Sequence, residues 1–157
     1  MNIFKNTDSL SLTATLDKST IDLVLTDPPY IISHETGFKS VKNGVQRFAV
    51  ETEFGDWDKP ENFSLGALED SIKEYYRVLR AGGTAIIFCD IWKITKIKEI
   101  LERNKFKQIR LIDWIKTNPV PLNSSRNYLT NSREVALSAV KVSKPTFNSK
   151  YDNGLYR

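Results

Sequence analysis

The chain has 157 residues, 40% hydrophobic and 27% charged, with a formal net charge of +4. That is enough for one domain with an ordinary core and has the balance of a soluble globular protein. No apolar run approaches the ~20 residues needed to span a bilayer, and "MNIFKNTDSL" lacks the basic-then-apolar layout of a signal peptide. A single cysteine, Cys89, excludes an intrachain disulfide and a cysteine-based metal cluster, so a cytoplasmic protein without an assigned metal is expected. The charge is uneven. Residues 1–104 carry 13 Lys/Arg against 16 Asp/Glu, and residues 105–157 carry 10 against 3. A basic C-terminal third suits a phosphate-binding face as well as it suits a merely solvated surface.

In chain order, "NIF" reads as a short strand and "TDSLSLTATL" as a helix that Thr7 or Asp8 can cap. "IDLVLTD", ending at Asp27, is a strand whose nearly unbroken apolar run predicts burial on both faces. Residues 31–60 show no period and predict a mobile lid loop. "SLGALEDSIKEYYRVLR" (64–80) predicts a helix capped by Ser64, with Leu65, Leu68, Ile72, Tyr76 and Leu79 inward. "AGG" is read as the helix-to-strand turn, and "TAIIFCD" as a second buried strand.

"IWKITKIKEILERN" predicts a further helix with Ile91, Ile94, Ile97, Ile100 and Leu101 inward. "KQIRLIDWIKT" and "REVALSAVKV" predict two strands with no helix between them, hence an antiparallel pair on the outer side of the sheet. The loop joining them, 117–133, is polar and basic. The fold class expected is α/β: a mainly parallel, Rossmann-like sheet with an antiparallel C-terminal pair, in a single catalytic domain over 1–157.

Asp27-Pro28-Pro29-Tyr30 falls where open α/β sheets place their ligands, at the carboxyl end of a strand. Each proline fixes its own φ and holds the preceding residue extended. Neither offers an N–H, so the segment presents acceptors: a carboxylate and main-chain carbonyls beside an aromatic ring. Such a cluster suits a planar group bearing an amine. Two acceptors, one per N–H, can pull an exocyclic amine toward tetrahedral geometry and localise its lone pair for attack on a methyl group. Tyr30 can stack on a base flipped out of the duplex. A plain Asp-Pro turn closing a strand is the structural alternative.

"TDPPY" resembles the catalytic motif of S-adenosylmethionine-dependent DNA amino-methyltransferases. "FGDWDKP" (54–60), "RVLRAGGTAIIFCD" (77–90), "IDWIKTNPVP" (112–121) and "NSREVALSAVK" (131–141) follow in the order of the permuted beta group of adenine-N6 enzymes. Aspartate at position 27 resembles the adenine-N6 form of the motif, whereas cytosine-N4 enzymes usually carry serine there. The resemblance implies that Asp27 and the Pro28 carbonyl hold the N6 amine of adenine and that Tyr30 stacks on the base. It implies that Asp8 and Asp27 touch the cofactor, although Thr7 stands where relatives have glycine and Ile31 where many have asparagine. Lys116, Asn118 and Arg126 are then expected on the DNA, Lys116 and Arg126 as phosphate contacts. Trp57 and Asp58 match the family's Trp-Asp pair, with Trp57 read as loop packing; His34 is assigned no role.

The seven glycines include no Phe-x-Gly-x-Gly cofactor loop, which in the permuted order follows the target-recognition region. A sheet lacking that half of the cofactor pocket is expected, with an open edge inviting a homodimer or a complementing chain and weak cofactor binding by the chain alone. Two functions therefore compete. One is a site-specific adenine-N6 DNA methyltransferase of a restriction-modification or phage system. The other is a non-catalytic nucleic-acid-binding remnant or one subunit of a split methyltransferase.

Overall fold

The computed structural model describes residues 4–30, 64–117, 132–142 and 144–147, together with the main chain of 41–42 and 45–46. The chain divides into two compact units, Met1–Pro28 with Glu69–Arg157, and Pro29–Leu68. In the smaller unit, β2 (Val41–Lys42) pairs antiparallel with β3 (Val45–Gln46). The Ser64 hydroxyl there accepts the Ala67 N–H at 3.2 Å, the expected cap of α2 (Leu65–Val78). The expected strand at "NIF" and the remainder of the 31–60 loop lie outside the described residues, and Phe4 is not in a strand.

The larger unit opens with α1 (Ser9–Ala14) and is built on four strands: β1 (Ile21–Thr26), β4 (Leu79–Cys89), β5 (Phe106–Ile115) and β6 (Arg133–Lys141). Their spatial order is β1-β4-β6-β5. β1 lies parallel to β4, and β6 runs antiparallel to both β4 and β5. Three of the four strands thus point one way, as expected, yet only one of the three ladders is parallel. The cause is topological. The helical connection after β4 carries β5 one place beyond its neighbour, and the reversed β6 fills the gap.

Alternation along the strands builds the core. Ala85, Ile87 and Cys89 of β4 share a face with Val135, Leu137 and Ala139 of β6, and all six are buried. Ile97, Ile100 and Leu101 of α3 (Ile94–Arg103) are buried at helical spacing, and α3 packs against β5 and β6. In α2 the buried positions are Leu68, Ser71, Ile72, Tyr75 and Val78: Leu68 and Ile72 are inward as expected, and Tyr75 takes the place expected of Tyr76. Tyr76 is half-buried, its ring edge-on to Phe106 with centroids 5.1 Å apart.

Three expectations need correction. Helix α2 ends at Val78, so Leu79 belongs to β4. "AGG" is a bulge inside β4: Ile21 faces Leu79, and the register resumes at Leu23 opposite Thr84. Gly82 there has φ +80°, and a Cβ would stand 2.6 Å from the Lys144 carbonyl oxygen, so only glycine fits without strain. Second, Ile91 is 51% exposed, because residues 91–93 form a separate 3₁₀ turn before α3. Third, β1 is not buried on both faces. Leu23 and Leu25 are 51% and 63% exposed, since β4 is its only partner strand among the described residues.

Candidate active site at the carboxyl edge of the sheet

The parallel β1–β4 ladder brings two carboxyl ends to one edge. Thr26 pairs with Ile87, so Asp27 leaves the sheet beside Phe88, and Asp90 follows the last residue of β4. The Asp27 carboxylate is exposed, and none of the ion pairs between described residues uses it. An uncommitted acceptor at a strand end is open to a ligand N–H. Pro28, the next residue, is half-buried. Pro29 and Tyr30, also half-buried, begin the smaller unit.

Asp90 differs. Its carboxylate accepts the Trp92 main-chain N–H at 3.1 Å and so caps the turn Ile91–Lys93. The Lys93 ammonium stands 4.0 Å from it. Cys89 is buried against this end of the sheet; burial, helped by the Asp90 charge, pushes its thiol up to about 11. A thiol so held stays protonated at neutral pH and is no nucleophile.

The other expected site residues are placed less favourably. Asp8 is the N-cap of α1, its carboxylate accepting the Ser11 main-chain N–H at 2.8 Å. The Ser11 hydrogen bonds hold that carboxyl below its usual range. Helix start signals in the sequence account for Asp8 without a ligand. Lys116 follows β5 and is ion-paired with Glu134 of β6, and its Nζ lies 5.9 Å from the centroid of the Trp114 ring. Its main-chain N–H donates to the Ser132 carbonyl at 2.8 Å. Asn118, Arg126, His34, Trp57 and Asp58 lie outside the described residues.

Sequence reasoning missed Arg77, which organises the amino-terminal side of this unit. Its guanidinium donates to the Thr13 and Leu16 carbonyls at 2.8 and 3.0 Å while paired with Glu74. One side chain thereby closes the C-terminal end of α1 onto α2. Lys141 does similar work, donating to the Leu79 carbonyl at 2.6 Å with its ammonium 5.0 Å from the Tyr76 ring centroid. Neither role has a local sequence signal, because each partner is some sixty residues away.

An open α/β sheet with the exposed Asp27 at its carboxyl edge holds that carboxylate where such sheets bind their ligands. The chain belongs to the DNA methylase family of N6/N4 methyltransferases, whose family model matches residues 21–154. It is 33% identical over 146 residues to the type II methyltransferase M2.LlaDCHI of Lactococcus lactis subsp. cremoris, covering 90% of this chain and 51% of that protein. Over a further 146-residue match it is 32% identical to the type II methyltransferase M2.DpnII of Streptococcus pneumoniae, covering 90% and 52%. Among solved structures, the M1.HpyAVI–SAM complex superposes with a TM-score of 0.56 at 26% identity, over 89% of this chain and 53% of that one. The chain thus spans about half the length of the curated relatives it matches. None of the helices in the described residues is long and apolar enough to cross a membrane.

Proposed function

We propose that the chain is the base-holding portion of a site-specific adenine-N6 DNA methyltransferase of a restriction-modification or phage system, acting in the cytoplasm. The observation carrying this reading is Asp27: an exposed carboxylate with no ion pair among the described residues, at the carboxyl end of β1, in a chain of the DNA methylase family. The Asp27 carboxylate accepts one N–H of the adenine amine and the Pro28 carbonyl accepts the other. The two acceptors hold the nitrogen lone pair toward the incoming methyl group; as the N–C bond forms and the methyl group leaves the donor's sulfur, the amine proton hydrogen-bonded to the Asp27 carboxylate is the one placed to leave the nitrogen. Pro29 keeps the segment rigid, and Tyr30 stacks on the flipped base.

S-adenosylmethionine is the methyl donor in this reading and supplies an electrophilic methyl group. The described residues fit only its reacting end. Asp27 is free to face it, whereas the Asp8 carboxylate is already bonded to Ser11. Residues 31–60 act as a lid and 117–133, with Lys116, Asn118 and Arg126, as the DNA-facing loop. The exposed Leu23 and Leu25 of β1 favour a second copy or a complementing chain along that edge.

The test is methyl transfer from labelled S-adenosylmethionine to an adenine-containing duplex by the chain joined to the remaining half of a relative. Asp27→Ala is expected to lose about 3 kcal/mol of transition-state stabilisation, a hundredfold or more in rate. Tyr30→Phe keeps most of the activity and Tyr30→Ala loses it. Equal rates for Asp27→Ala and the parent reject the assignment. The basic C-terminal third supports the second reading, a nucleic-acid-binding chain without catalysis. It wins if duplex binding persists while no joined protein methylates.

A further inference from the structure

We propose that Trp92 is a nucleobase-stacking residue on the DNA-binding face, a deepening that rests on the function proposed above. Trp92 sits on the turn that leaves β4, and the parallel ladder places that turn at the same sheet edge as Asp27. It is 89% exposed. Trp114, by contrast, is partly covered, its ring edge-on to Phe88 with centroids 5.9 Å apart. Among the described residues no ring or cation–π contact involves Trp92.

The turn beneath the ring is held firmly. The Asp90 carboxylate takes the Trp92 N–H, and the Asp90 carbonyl takes the Lys93 N–H at 2.9 Å. A fixed main chain leaves the ring only its two side-chain torsions, so ordering it against a ligand costs little. The solvated indole is also a large apolar surface that gains from being covered. At the carboxyl edge of an open α/β sheet the ligand approaches here. A DNA whose base has been extruded presents unstacked faces beside the gap. Every base has such a face, so stacking on Trp92 gives affinity without choosing sequence. Trp92 therefore steadies a base next to the one that Asp27 holds. The competing occupant is a polypeptide segment packed over the ring.

The test uses the 157-residue chain carrying Trp57→Phe and Trp114→Phe, which leaves Trp92 as the single tryptophan. It is titrated with a short duplex containing one mismatched adenine, following Trp92 emission and the anisotropy of a dye on the DNA. Emission is expected to be quenched in step with binding. Trp92→Ala should weaken affinity about five- to a hundredfold, with Trp92→Phe recovering most of it. The slope of log affinity against log salt should not change, since no phosphate contact is lost. Binding with unquenched emission and parental affinity in Trp92→Ala overturns the stacking role and leaves the methylase reading standing. Absence of duplex binding by the parent overturns the stacking role, while the methylase reading stands or falls on methyl transfer by the joined protein.

Discussion

Lys116 is ion-paired with Glu134 across the end of the β5–β6 ladder, where Trp114 faces Glu134 and Ile115 faces Arg133. The side chains are equally accessible, each about a third exposed, so the pair is a surface one that solvent screens. Its consequence is functional. The one described cation among the expected DNA contacts has its charge balanced by an acid on the next strand.

Glu134→Gln should therefore release Lys116 to a phosphate. Duplex binding is expected to tighten at low salt, and the slope of log affinity against log salt to steepen by about 0.9, the value for one added contact. Lys116→Ala introduced into the Glu134→Gln chain should return the slope to that of the parent. An unchanged slope in Glu134→Gln places Lys116 away from the DNA.

The two readings of Asp8 separate by substitution. As the N-cap of α1 it should tolerate Asn, which also accepts from the N3 amide, and should not tolerate Ala. Thermal unfolding is expected to show Asp8→Asn near the parent and Asp8→Ala lowered. If Asp8→Asn keeps the melting temperature yet removes cofactor binding in the joined protein, the carboxylate has a ligand role beyond the cap.

Gly82→Ala should be severe. The main chain stands at φ +80°, and the added methyl meets the Lys144 carbonyl oxygen at 2.6 Å, a backbone atom that cannot step aside. The left-handed strain and the clash together are expected to cost about 2–4 kcal/mol in denaturant unfolding. They should also break the Thr146 N–H to Gly82 carbonyl bond, 2.9 Å in the native chain.

Cys89 gives a pH dependence of definite sign. Its folded-state value of about 11 lies above the ordinary 9.0 of a free thiol. Its contribution is fully present below about pH 9 and is lost as pH rises toward 11, because the unfolded chain ionises first. Over that window the parent should lose about 2 kcal/mol more stability than Cys89→Ala. Burial lowers the Lys141 ammonium instead, but that opposing effect is common to both chains and cancels in the comparison. A thiol reagent at neutral pH should label Cys89 only at the rate of unfolding.

Much of the fold was legible because its causes are local. Apolar runs bounded by turn residues marked β1, β5 and β6 to within about two residues and the second half of β4, and helical spacing of Ile97, Ile100 and Leu101 marked α3. Asp-Pro-Pro restricts its own backbone, so an acceptor cluster at a strand end could be read before any neighbour was known. What the tertiary structure decided depends on residues far apart in the chain. The insertion of β6 between β4 and β5 is a contest among ladders that no single segment encodes. A six-residue apolar strand reads as buried, and only the order of the sheet shows that the described neighbours leave Leu23 and Leu25 half uncovered. Asp8, Lys116 and Arg77 look alike as charges in a sequence. Their states follow from Ser11, from Glu134 and from the carbonyls of Thr13 and Leu16, because a charged side chain takes whichever partner folding brings within hydrogen-bond reach.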